Sequence, residues 1–117
     1  MLPAVHRLRD GDGFRTVMRR GERARSHTLV AHFLLPEDSK SPVAAVVGFV
    51  VGRRVGTAVV RNRVKRRLRH LTRDRLGVLP DGSALVVRAL PSSASASSVE
   101  LGSDLDRALA RCGVGRS

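Results

Sequence analysis

Residues 53–75 read RRVGTAVVRNRVKRRLRHLTRDR and hold ten of the chain's twenty-two Lys and Arg residues against one acid, Asp74. The chemistry open to such a stretch is anion recognition. A guanidinium is a planar fork of donors that matches phosphate oxygens bidentately and stacks on bases. Twenty of the basic residues are arginines, Lys40 and Lys65 being the two lysines, although a GC-rich genome would produce the same bias. Asn62 lies between Arg61 and Arg63. Its amide competes for backbone hydrogen bonds inside a helix, so it suits either a base edge or sugar beside two phosphate-holding cations, or a capping role. Chemistry of other kinds has little material here. The motifs HExxH, GxSxG and GxxxxGK[ST] do not occur, and the single cysteine, Cys112, excludes an intrachain disulfide and a thiolate-rich zinc site. None of the ten acids is placed so that pairing with a histidine can be argued, so no catalytic residue and no protein metal site is assigned.

The rest of the chain must position that basic stretch. At 117 residues it is read as a single domain over 1–117, large enough to bury a core unaided. A formal net charge of +12 attracts polyanions, either nucleic acid or an anionic membrane surface. The membrane is the weaker partner. The basic helix lacks a broad aromatic face, Met1 to Asp10 lacks the apolar centre of a signal peptide, and the longest apolar run, Val43 to Val51, is about half a span. A soluble, cytoplasmic protein without a membrane partner is expected.

Asp10 to Arg20 carries a helical pattern in Phe14, Val17 and Met18, with Gly21 as a left-handed stop. Thr28 to Leu35 and Val43 to Val51 read as strands joined in a hairpin by the loop Pro36 to Pro42, the second as a central strand buried on both faces. Gly56 and Thr57 then open the clearest helix, in which Val60, Val64, Leu68 and Leu71 form one narrow apolar stripe, and Gly77 and Pro80 end it. That stripe leaves Arg61, Asn62, Arg63, Lys65, Arg66, Arg69 and Arg73 over the remaining surface. Ser83 to Leu90 is a third strand, and Pro91 to Ser98 a Ser/Ala-rich flexible loop. A last helix follows, on which Leu101, Leu105, Ala108, Leu109 and Cys112 share a face, with Ser97 and Glu100 spaced as a capping box. The order α-β-β-α-β-α predicts an α+β domain with one mixed sheet covered by helices. Phe14 and Met18 suit a core or a groove, and His32 a satisfied strand histidine or a ligand contact.

At residues 48–69, GFVVGRRVGTAVVRNRVKRRLR, the chain closely resembles the bacterial ribonuclease P protein family. The matching residues are Arg53, Arg54, Gly56, Ala58, Val59, Arg61, Asn62, Arg63, Lys65, Arg66 and Arg69. Weaker matches run upstream through Phe14, Val17, Gly21 and Leu29 and downstream through Ala84 to Pro91, covering roughly residues 6–112. The resemblance implies a small α/β sandwich with a four-stranded sheet and a left-handed βαβ crossover, as in the second domain of ribosomal protein S5. A fourth strand is then expected near Val50 to Arg54. It implies that Arg53, Arg54, Arg61, Asn62, Arg63, Lys65, Arg66 and Arg69 bind the catalytic ribonuclease P RNA. It also implies a cleft of Phe14, Met18 and His32, with Arg61 and Lys65 nearby, that takes the 5′ leader of precursor tRNA. Met18 and His32 stand where the family carries aromatics, and both offer less ring surface. By the same resemblance the RNA hydrolyses the phosphodiester with magnesium ions. A general or ribosome-associated RNA-binding protein, and a protein-only nuclease, are the alternatives.

Overall fold

The computed structural model describes residues 6–36 and 43–114. The elements are α1 (Gly11–Arg20), β1 (Glu22–Arg25), β2 (Leu29–Leu34), β3 (Val46–Val50), α2 (Ala58–Arg73), β4 (Ala84–Ala89) and α3 (Ser98–Arg111), with short 3-10 turns at Arg53–Val55, Leu76–Val78 and Pro91–Ser95. One four-stranded sheet has the order β1-β2-β4-β3. β1 and β2 are antiparallel, as are β2 and β4, while β3 and β4 run parallel with α2 as the crossover between them.

Several expectations change. β2 and β3 do not form a hairpin, because β4 inserts between them. β3 is an edge strand of the sheet, although the N-terminal segment flanks it through a bridge between Arg7 and Val47 and a bond from Leu8 N–H to Val47 O at 2.8 Å. The fourth strand is β1, upstream of β2, and Arg53–Val55 forms a 3-10 turn instead. A four-residue strand of sequence ERAR offers almost no apolar alternation, so pairing with β2 decides its state. The Ser/Ala-rich stretch expected as a loop contains the Pro91–Ser95 turn, with Ser93 and Ala96 buried, and runs into α3. Residues 37–42 of the expected loop between the second and third strands lie outside the described residues.

Two apolar layers flank the sheet. Leu29, Ala31 and Phe33 of β2, Val47 of β3, and Leu85, Val87 and Ala89 of β4 share the larger core with Val64, Leu68, Leu105, Ala108 and Leu109 of α2 and α3. Alternate residues along the same strands, Val30, His32 and Val86, are also buried and face the other way, toward α1 and its Val17. Gly48 fixes how α1 lies there. A methyl group on it would sit 2.3 Å from Phe14 Cζ, so the ring rests directly on bare strand backbone. Gly21 is extended (φ −77°), not left-handed, and is needed for a different reason. A Cβ there would lie 2.6 Å from Val17 O and 2.9 Å from Phe33 O, so only hydrogen lets α1 turn so closely into β1.

The helices are held by specific polar contacts. Thr57 Oγ1 caps α2 at Val60 N, and Ser97 with Glu100 completes the capping box on α3. Asp104, buried on α3, accepts hydrogen bonds from Thr28 N–H at 3.0 Å and from the Thr28 hydroxyl, tying the β1–β2 turn to that helix. Arg75 donates from Nε and Nη2 to the two carboxylate oxygens of Asp106 at 2.6 and 3.1 Å, and from Nη1 to Leu71 O at 2.7 Å. The Asp106 carboxylate raises the pKa of Arg75 further, and the fork closes the end of α2 against α3.

His32 is 4% exposed beneath α1, and neither ring nitrogen has a hydrogen-bond partner among the described residues. Burial first, then the Arg88 and Arg23 charges, pushes its pKa below the usual 6.5. The folded state therefore holds His32 neutral, and the unfolded chain protonates first as pH falls through 6.5. The stability held above that pH is lost below it. We expect urea unfolding between about pH 7.5 and pH 5.5 to show a decline, at most about 1.4 kcal/mol per pH unit from this group, that His32→Phe flattens. We also expect Gly48→Ala to cost about 1–3 kcal/mol by overpacking against Phe14. In a Phe14→Ala background the same change should cost nothing further, which a double-mutant cycle by urea titration checks.

Candidate nucleic-acid interface

The charge pattern of α2 is set by which side of the helix the sheet consumes. Val64 and Leu68 are wholly buried and Val60 and Leu71 partly so, as the stripe requires. Thr72 is also buried on this helix. The opposite face carries a shallow basin of about 630 Å³ lined by Val59, Asn62, Arg63, Lys65, Arg66, Arg69 and His70. Five of the eight residues expected to bind RNA are thus brought together. No acid lines the basin, and none occupies the first turn of α2, where the positive end of the helix dipole already favours an anion. Val59 is 74% exposed there, an apolar surface amid cations on which a base can stack.

Arg53 and Arg54 stand outside the basin, exposed on the 3-10 turn that leads into α2, with Val55 buried as its anchor. Arg61 is half-buried, and its Nε is enclosed without a partner among the described residues. Not every cation of α2 is free for a ligand. Arg67 donates to Ala96 O at 3.0 Å, fastening the helix to the segment before α3, and Arg73 lies 3.9 Å from Asp74.

A second groove of about 230 Å³ adjoins the first. Arg7, Leu8 and Arg9 form one wall, Phe14, Val47, Gly48 and Phe49 the floor, and Lys65 and Arg69 the other wall. Lys65 and Arg69 therefore line both depressions and join them into one surface. Of the three cleft residues expected, Phe14 lines this groove. Met18 is half-buried one turn further along α1, and His32 lies under that helix; neither lines the groove. Sequence reasoning missed Arg7 and Arg9, which belong to no predicted element, and His70, whose place on the basic face its spacing from Arg66 and Arg63 would have given.

Comparison with known proteins gives the family. The Ribonuclease P family model matches residues 2–113. The ribonuclease P protein component of a Nocardioides species is 58% identical over 114 residues, 97% of either chain. That of Streptomyces avermitilis is 51% identical over 118 residues, covering 95% of this chain and 94% of its own. Among solved structures, the Thermotoga maritima RNase P protein superposes with a TM-score of 0.73 at 27% identity, over 90% of this chain and 96% of the other. The Staphylococcus aureus RNase P protein reaches a TM-score of 0.80 at 17% identity, over 93% and 96%, a likeness of fold. The mixed four-stranded sheet, the cationic α2 and these matches agree: the chain belongs to the ribonuclease P protein family, the protein component of that endoribonuclease.

Proposed function

We propose that the α2 basin binds ribonuclease P RNA and that the groove beside Phe14 receives the 5′ leader of precursor tRNA, so that the protein assists removal of the leader in the cytoplasm. The observation that carries this reading is the pairing of the two depressions. Asn62, Arg63 and Arg66 line one, Phe14 and Phe49 line the other, and Lys65 and Arg69 belong to both. Two RNA strands held against one helix can be brought together across its shared cations. Phosphates approaching each other repel, and guanidinium and ammonium groups between them offset that repulsion where mobile salt would otherwise be needed. The apolar floor of Phe14 and Phe49 suits an unpaired base more than a duplex.

Hydrolysis, with magnesium ions, is assigned to the RNA partner. Among the described residues no three His, Cys, Asp or Glu side chains gather as a protein-held metal would need. The described residues also contain no helix long and apolar enough to cross a membrane. What this chain's residues do is bind, orient and neutralise.

We expect the protein to accelerate 5′ processing of precursor tRNA by a bacterial ribonuclease P RNA strongly at low magnesium. Tight RNA binding without acceleration, or equal affinity for precursor and mature tRNA, would instead indicate a general RNA-binding protein. Cleavage by the protein alone would move the chemistry onto this chain. Arg63→Ala should lower the slope of log affinity for the ribozyme against log salt by about 0.7–0.9, one phosphate contact, in a binding titration across ionic strengths.

A further inference from the structure

We infer that Arg67 is a positioning residue for RNA binding: by bonding α2 to the segment after β4 it fixes where Arg53 and Arg54 stand relative to the α2 basin. The inference rests on the RNA-binding reading above and names what sets the spacing between its two groups of cations.

Arg67 is out of place for a ligand of the basin. It follows Val60 by seven residues and precedes Leu71 by four, so the helical period puts it beside the buried stripe and not among the cations opposite. Arg63, Lys65, Arg66 and Arg69 line the basin, and Arg67 does not. By pattern alone an apolar residue would suit this position. The arginine that stands there is half-buried, and its Nη1 donates to Ala96 O at 3.0 Å, 29 residues along the chain. A charged donor on the carbonyl of a buried residue makes one of the stronger hydrogen bonds available to a helix flank.

The segment that receives this bond has nothing with which to attract RNA. Residues 91–98, PSSASASS, carry no charge. They are nevertheless firmly seated. Ser93 and Ala96 are buried, Leu90 N–H donates to Thr28 O at 2.9 Å, Ser92 Oγ to His27 O at 2.8 Å, and Ser93 Oγ to Leu90 O at 2.6 Å. The Pro91–Ser95 turn touches both α2 and the Arg53–Val55 turn, which Val55 anchors in the core. One uncharged segment thus supports both groups of cations, the basin through Arg67 and the Arg53–Arg54 pair through the turn that bears it. Two groups that must engage one RNA together gain most when the distance between them is set in advance.

The test uses the whole protein binding a bacterial ribonuclease P RNA, titrated across ionic strengths well below the unfolding temperature of each variant. Arg67→Met keeps the apolar stem and removes the donor. It should weaken binding about three- to tenfold, the scale of one or two side chains left to be ordered on binding. The slope of log affinity against log salt should not change, because every phosphate contact still forms. Val55→Ala removes no charge and should weaken binding in the same way. The two together should cost less than the sum of each, since either one frees the same spacing. Arg53→Ala/Arg54→Ala should also cost less in the Arg67→Met background than in the wild type. A slope lowered by about 0.7–0.9 in Arg67→Met makes this residue a phosphate ligand and overturns the inference. Undiminished affinity in Arg67→Met, with or without a loss of thermal stability, reduces it to a brace of the fold and overturns the inference as well. Strictly additive losses do the same. If Arg53→Ala/Arg54→Ala and Arg63→Ala leave affinity unchanged in the otherwise wild-type protein, the RNA-binding reading itself fails, and this inference with it.

Discussion

Val64 and Leu68 of α2 are wholly buried against the sheet, and that docking lets a helix of mostly like charges exist. Arg61 with Lys65 and Lys65 with Arg69 are like-charge neighbours one turn apart, each pair opposing the helix by about 0.2–0.5 kcal/mol. Burying two aliphatic side chains returns about 3–6 kcal/mol. The stripe wins, but only while the sheet is present to receive it. The main core, the Thr57 cap, the Arg75–Asp106 fork and the Arg67 bond to Ala96 are thus conditions for holding a cationic surface in one shape. A polyanion docking there would meet a preformed surface and incur little ordering cost at the moment of binding.

The second face of the sheet is built on a different economy. α1 covers it with few apolar contacts, chiefly Val17 and the Phe14 ring on Gly48, and among the described residues the His32 ring nitrogens and Arg88 Nε have no hydrogen-bond partner. A thinner layer is less stable than a full core. The main core maintains the fold, while the α1 face remains chemically unfinished.

How much of this could be read in advance follows from where the information resides. The stripe and cap of α2 and the capping box of α3 are local, set by residues three or four apart, and the sequence displays them directly. The eight positions expected to bind RNA sit on or just before that helix, and five of them line the basin, so its composition was legible too. Strand partnership was not. β4 inserts between β2 and β3 because a parallel crossover through α2 outcompetes a hairpin, and nothing within Thr28–Val51 encodes a choice that depends on residues 84–89. β1 escaped because ERAR carries no periodic signal. The separation of Phe14 from His32 depends on the path of α1, which two glycines set by having no side chain.

The two margins of the sheet are treated differently. Along β3 the N-terminal segment lies against the strand, with Leu8 bonded to Val47. β1 pairs only with β2 among the described strands, so its outer margin carries no further strand, although Arg111 of α3 donates to the Arg25 carbonyl at 2.7 Å. An open strand margin is a template on which another copy of the chain can add a strand, the first step toward aggregation. Arg23 and Arg25 oppose that step, because stacking two such margins would bring guanidinium against guanidinium. The margin is guarded chiefly by charge. Its protection is therefore strongest in dilute salt and falls as counterions accumulate around it.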